Sequence, residues 1–289
     1  MLNRRDRTGQ SREKPLAGPS SFPKKRLSQV FLRSERVAAR IIRLAEICKG
    51  ETVLEIGGGR GILTRALARS GARVTCLEVD QKLAAELRKR LSHLPEVVVL
   101  EEDALRFDFS TIPAPFKVVA NLPYHISSPL LTRLLEFRTS ISAMTLMVQK
   151  EVAMRLLAKP GTKEYGILSV AVQVFAETSL GFLVPGREFR PVPRVDSAVI
   201  RVKPLPVPRI PLPDPEHFFR IVRLGFGQRR KTLRNCLKQE FGEDVVDHAL
   251  GDLGMDPKRR GETLSMEEFA RLAAALSPSG SPLGGSDRA

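Results

Sequence analysis

From about residue 23 to residue 204, short, largely apolar runs alternate with stretches whose apolar positions recur at helical spacing. Runs at residues 52–56, 73–79, 97–100 and 116–120 read as buried strands, and the helical patterns between them predict repeated βα units on a mainly parallel sheet. A fifth strand is expected at 143–148. Two more, at 178–184 and 197–202, lie close enough in sequence to pair antiparallel, which makes a sheet of seven. The fold class is therefore α/β.

Residues 205–215 place five prolines in eleven positions, a composition that defeats helix and inner strand alike, so a linker is expected there. Beyond it, helical spacing at 216–224, 229–241, 245–250 and 265–276 predicts a small all-helical C-terminal domain over residues 216–276. Residues 1–22 are polar and basic and residues 277–289 are rich in Gly, Pro and Ser, so both are expected to be disordered tails. Residues 23–204 would then form the larger domain.

Composition sharpens this outline. Lysine plus arginine number 47 against 32 acids, a net charge of +15, which favours a polyanionic partner and nucleic acid above all; a basic but merely solvated surface is the plainer alternative. Cys48, Cys76 and Cys236 form no CxxC pair, and His93, His125, His217 and His248 are scattered, so neither disulfides nor a metal is expected. No apolar run reaches the roughly 18 residues of a membrane span, and the N-terminus lacks a signal peptide's apolar region, so a cytoplasmic location is expected. Arg4, Arg5, Arg7 and Arg12 would suit an organellar transit peptide; Asp6 and Glu13 would not.

The first strand runs into VLEIGGGRG, residues 53–61, with Gly57, Gly59 and Gly61 at every second position ahead of a helix. Such a turn lets a ligand approach the backbone at the carboxyl end of a strand, where open α/β sheets bind nucleotides. The third glycine comes at the fourth position after the first rather than the fifth, so the dinucleotide pattern fails, and no phosphate-binding lysine follows. A nucleoside bearing a cation is then the expected ligand, and S-adenosylmethionine fits that description. Glu78, ending the second strand 21 residues past Gly57, can accept from both ribose hydroxyls, and Asp103, ending the third, from the adenine amine. Either acid alone could be a solvated strand end; their order after the glycine turn selects cofactor contact.

The fourth strand ends in NLPYHISSPLL, residues 121–131. Asn121 and the Leu122 carbonyl can accept hydrogens from an exocyclic amine, Pro123 removes a competing donor, and Tyr124 offers a stacking face. The amine of a purine is a poor nucleophile, so two acceptors that align it with a sulfonium methyl would replace a strong base. Phe189 is a candidate for the other face of the base, or else a core anchor. An adenine held this way must be unpaired or flipped out of its helix.

Together these residues resemble the ribosomal RNA adenine dimethyltransferase family, and within it the bacterial branch that dimethylates two adjacent adenines near the 3′ end of small-subunit (16S) rRNA. The resemblance covers residues 24–276, through SQVFL at 28–32, EIGGGRGILT, the acids of 78–80, EDAL, NLPYHISSPLL, QKEVAMRL at 149–156, YGILSV at 165–170, PRVDSAV at 193–199 and GQRRKTLRN at 227–235. It implies a Rossmann-like class I methyltransferase domain followed by a helical RNA-binding domain. It further implies that Val30, Leu32, Gly57, Gly59, Glu78, Asp103 and Asn121 line the cofactor, that Asn121, Leu122, Pro123 and Tyr124 with Phe189 hold the adenine, and that the partner of this monomer is small-subunit rRNA in a pre-30S particle. Ser28 and Val30 stand where the family usually has Gly and Asn, Gly58 where Pro is common, and His125 where Asn is usual; His125 reads as a packing variant, and Val30 leaves only a backbone contact.

Arg229, Arg230, Lys231, Arg234 and Lys238 carry no acid among them and are expected on one helix as phosphate contacts. A charged helix face with no partner is the alternative. Three rival functions stand beside the main one: a macrolide-resistance enzyme modifying large-subunit rRNA, a non-catalytic small-subunit assembly factor, and a mitochondrial relative acting in transcription.

Overall fold

The computed structural model describes residues 30–228 and 230–277; both expected tails, apart from Ser277, and also Ser28 and Arg229 lie outside the described residues. The chain opens with β1 (Phe31–Leu32) and α1 (Glu35–Ala45), then runs β2 (Thr52–Ile56), α2 (Ile62–Arg69), β3 (Arg73–Leu77), α3 (Gln81–Leu91), β4 (Val97–Leu100), β5 (Phe116–Asn121), α4 (Ser127–Glu136) and β6 (Ile141–Gln149). Next come α5 (Lys150–Leu157), α6 (Ile167–Phe175), β7 (Ala176–Val184), β8 (Phe189–Arg190) and β9 (Ser197–Pro204), and finally α7 (Pro215–Gly227), α8 (Leu233–Phe241), α9 (Glu243–Asp252) and α10 (Met266–Ala275).

Seven strands form one sheet in the order β4-β3-β2-β5-β6-β9-β7. β2 pairs parallel with β3 and β5, whereas β9 runs antiparallel to β6 and β7. The expected Rossmann-like sheet is therefore present, with its last two strands antiparallel as the short connection required. Strand order reverses between β2 and β5, so the loops after these strands diverge and leave a crevice at their carboxyl ends. β2 and β5 contain the fully buried Val53, Leu54, Val118, Val119 and Ala120 because helices cover both faces of the sheet.

Side chains fix several helix starts. Asp80 accepts from the Lys82 N–H at 3.0 Å and caps α3, Asp214 accepts from the His217 N–H at 2.9 Å with Pro215 opening α7, and Ser265 with Glu268 forms a reciprocal box at α10. A core of its own gathers Phe218, Ile221, Leu237 and Phe269 of the C-terminal helices around Tyr165, Val170 and Val174, so α6 serves both halves of the chain. The proline-rich stretch is laid against that helix: the Leu205 N–H donates to the Phe175 carbonyl at 2.8 Å, the Arg209 N–H to the Val174 carbonyl at 2.8 Å, and Ile210 is buried.

One expectation needs correction. The helix expected over residues 229–241 begins only at Leu233, because the Thr232 hydroxyl caps it; Arg230 and Lys231 sit in the turn before it. A second, two-stranded sheet joins β1 to β8, pairing Leu32 with Phe189 and Phe31 with Arg190, which no periodicity in the chain announced.

Candidate active site

A cavity of about 340 Å³ opens at the β2–β5 crevice. Its lining brings together Val30, Leu32, Gly57, Gly59, Glu78, Asp103 and Asn121, the whole set expected around a cofactor, and Leu122, Pro123 and Tyr124 continue the same wall. The glycine turn supports this shape through backbone conformation. Gly57 has φ +80°, a region that side chains disfavour, and a Cβ on Gly59 (φ +53°) would stand 3.1 Å from the Phe31 ring. Phe31 belongs to β1, whose pairing with β8 holds residues 30–32 against the turn; the Arg60 guanidinium stands 5.1 Å from the Phe31 ring centre.

Glu78 lies in the loop just past β3 and is 6% exposed. Its Oε2 accepts from the Gly59 N–H at 2.8 Å and its Oε1 from the Asp80 N–H at 2.9 Å, which fixes the carboxylate and leaves each oxygen a further lone pair. Burial pushes its pKa up, and the backbone N–H groups of Asp80 and Gly59 pull it back. Asp103 is half-buried, with its Oδ1 fixed by the Leu105 N–H at 2.9 Å.

Glu55, within the VLEIGGGRG segment, also lines the cavity, with no role assigned to it from the sequence. It is 1% exposed on β2; burial pushes its carboxyl pKa up to about 8, with the neighbouring Thr64 and Cys76 opposing and Glu78 adding to the rise. Its Oε2 has no partner among the described residues. The available signal was an acid placed inside an apolar strand, which is costly unless it is neutral or has a ligand.

Asn121 ends β5. Its Nδ2 donates to the Val30 carbonyl at 3.5 Å, and its Oδ1 is buried with no partner among the described residues. The Tyr124 hydroxyl and Ser197 Oγ are 2.8 Å apart, and burial raises the phenol's pKa while this bond lowers it. Phe189 does not join this wall: it is 1% exposed and packs in the core with Leu32 and Val184, as the core-anchor alternative requires. His125 is exposed at the cavity wall rather than packed, so it is no packing variant. No cluster of metal-binding side chains occurs among the described residues.

The basic segment divides in two. Arg230 and Lys231 are exposed. Arg234, in contrast, forks onto Asp247, with Nη2 to Oδ2 at 2.7 Å, and also bonds Glu243; Lys238 lies 3.6 Å from Glu243. These acids arrive from α9, so Arg234 and Lys238 serve to dock α8 on α9, and the expectation of five unpaired cations on one helix is corrected.

A glycine turn, an acid after β3 and a buried acceptor after β5, gathered at the switch point of a seven-stranded sheet, define a nucleoside-using methyltransferase of Rossmann-like class. Comparison with known proteins narrows the class. A family model described as ribosomal RNA adenine dimethylase matches residues 21–277, and the chain belongs to that family. It is an S-adenosylmethionine-dependent enzyme acting on adenine in ribosomal RNA. It is 43% identical over 265 residues to the ribosomal RNA small subunit methyltransferase A of Bacillus mycoides (strain KBAB4), covering 88% of this chain and 91% of that one, with the same figures for its namesake in Bacillus anthracis (strain CDC 684 / NRRL 3495). Among solved structures, a dimethyladenosine transferase from Plasmodium falciparum superposes with a TM-score of 0.72 at 28% identity, covering 83% of this chain and 95% of that one. The 23S rRNA methyltransferase ErmE gives 0.65 at 32% identity, covering 85% and 99%.

Proposed function

We propose that the chain transfers two methyl groups to the N6 amine of each of two adjacent adenines in a hairpin loop near the 3′ end of small-subunit (16S) rRNA, within a pre-30S particle in the cytoplasm. The observation that carries the chemistry is the buried Oδ1 of Asn121 on the cavity wall, which has no partner among the described residues, one step from the Leu122 carbonyl and three residues from the Tyr124 ring. S-adenosylmethionine supplies the electrophilic methyl when bound. Glu78 would hold its ribose hydroxyls and Asp103 its adenine amine, with residues 30–32 closing over the glycine turn.

Asn121 Oδ1 and the Leu122 carbonyl accept the two hydrogens of the target amine, which turns the nitrogen lone pair out of conjugation and aims it along the transfer direction. Tyr124 supports the ring of the flipped base. No strong base is required, because the proton is lost after transfer, when the nitrogen has become a cationic acid. The singly methylated amine keeps one hydrogen, so one of the two acceptors can still hold it while the nitrogen is aimed for the second transfer.

The small-subunit assignment is supported by 43% identity to enzymes named for that subunit, against 32% to the large-subunit ErmE. An intact set of site residues tells against a non-catalytic assembly factor. We read residues 23–204 as the catalytic domain and 216–276 as the RNA-binding domain, acting as a monomer, with Arg229, Arg230 and Lys231 as the phosphate contacts. Incubation with labelled cofactor and unmethylated small subunits, followed by mapping, should find dimethyladenosine at neighbouring positions of one loop. Label confined to large-subunit RNA would overturn the substrate reading.

A further inference from the structure

Tyr124 is held at both ends. Its carbonyl accepts from Ser127 Oγ at 3.1 Å, and its phenol meets Ser197 Oγ at 2.8 Å across 73 residues of sequence. Ser197 is wholly buried at the start of β9. It pairs with Gln149 of β6 on one side and Val184 of β7 on the other. The preceding Asp196 accepts from the Lys150 N–H at 2.9 Å through its carbonyl and from the Gly186 N–H at 2.9 Å through its carboxylate.

A buried hydroxyl is usually bonded, and here the partner lies on the cavity wall. Tyr124 is carried by the loop between β5 and α4, and its side chain has two torsions that packing alone constrains weakly at half burial. A base stacks well on a ring only when the ring plane is already set. We propose that Ser197 is a positioning residue for methyl transfer: it ties the loop-borne ring to the sheet, so that the ring plane is fixed before the adenine arrives. The proposal rests on the reading of Tyr124 as the adenine platform. Ser197 touches neither substrate nor cofactor and acts only through the phenol.

The chain has two tyrosines and no tryptophan, so Tyr165→Phe leaves Tyr124 as the only phenol emitter. In that background Ser197→Ala should speed the local depolarisation of Tyr124 fluorescence. It should also lower kcat on unmethylated small subunits by about fivefold to tenfold, the worth of one hydrogen bond. Affinity for S-adenosylhomocysteine by calorimetry should stay within about twofold, since Glu78 and the glycine turn are untouched. Tyr124→Phe removes the same bond from the half-exposed side and keeps the test open if Ser197→Ala is unstable. Its kcat should fall by a similar factor, and the double variant should fall no further. Wild-type depolarisation in Ser197→Ala, full kcat in Tyr124→Phe, or losses that multiply in the double variant would each overturn the proposal. Failure of the wild-type chain to methylate small-subunit RNA would instead defeat the substrate reading, while the fluorescence experiment would still decide the role of Ser197.

Discussion

Asn121→Ala separates function from stability more sharply than any other substitution at this site. Its Oδ1 is buried and bonds nothing among the described residues, and its Nδ2 makes only a 3.5 Å contact with the Val30 carbonyl. A buried acceptor without a partner costs the fold about 1–3 kcal/mol, so truncation relieves that cost while opening a small void of opposing sign. The net change should lie within about 1 kcal/mol, or about 2–4 °C in Tm for a chain of this size. Activity should respond quite differently. One of two acceptors that hold the amine in the transition state disappears, and comparable losses of a preorganised polar partner reduce kcat by about 10²–10³-fold. The assay is single-turnover transfer to unmethylated small subunits beside thermal unfolding of the same samples. The reasoning is refuted if the variant keeps kcat within about threefold of wild type, or if it loses activity only by unfolding, with a Tm lowered by far more than about 4 °C.

Three further outcomes follow from the geometry. With Arg234 and Lys238 bound to acids, the proposed phosphate contacts of Arg229, Arg230 and Lys231 would make log affinity for single-stranded RNA fall with log salt at a slope of about −2.1; Arg230→Ala with Lys231→Ala should cut this by about 1.4, and an unchanged slope would remove the segment from the interface. Glu55 has a folded pKa of about 8 against an ordinary 4.5, so its protonated form stabilises the fold fully below about pH 4.5 and that contribution is lost as pH rises through 8; urea unfolding from pH 5 to 9 should show a decline that Glu55→Gln flattens, and identical slopes would contradict the neutral carboxyl. Gly59→Ala places a Cβ 3.1 Å from the Phe31 ring at a φ of +53°, and calorimetry should show roughly tenfold weaker S-adenosylhomocysteine binding, where an unaltered affinity would mean that residues 30–32 do not close the pocket.

Much of the sheet was legible because β2 to β5 are short, largely apolar runs, and the close spacing of β7 and β9 left an antiparallel pairing as the simplest connection. Glu78, Asp103 and Asn121, which line the cavity, were legible because each was read at a strand end, where order along the chain maps onto position in the crevice. β1 and β8 were not, since two-residue strands have no period to read. That pair decides the fate of Phe189: its backbone is tied to Leu32, and its ring faces the core instead of the cavity. The charge of Arg234 was misjudged for a related reason. Its acids lie 9 and 13 residues further on, and only the packing of α9 against α8 brings them within reach. Ser197 looked like an ordinary strand residue until the fold set its hydroxyl against Tyr124.

On the proposed reading, a glycine-lined pocket that grips a nucleoside through Glu78 adjoins the slot for the adenine. Titrating folded protein with S-adenosylhomocysteine in a calorimeter tests it most directly. One molecule should bind per chain, and Glu78→Ala should weaken binding by at least about tenfold, the equivalent of about 1.4 kcal/mol for a buried carboxylate acceptor. Absence of any binding heat across temperatures in well-folded wild-type protein, or full affinity in Glu78→Ala, would contradict the account.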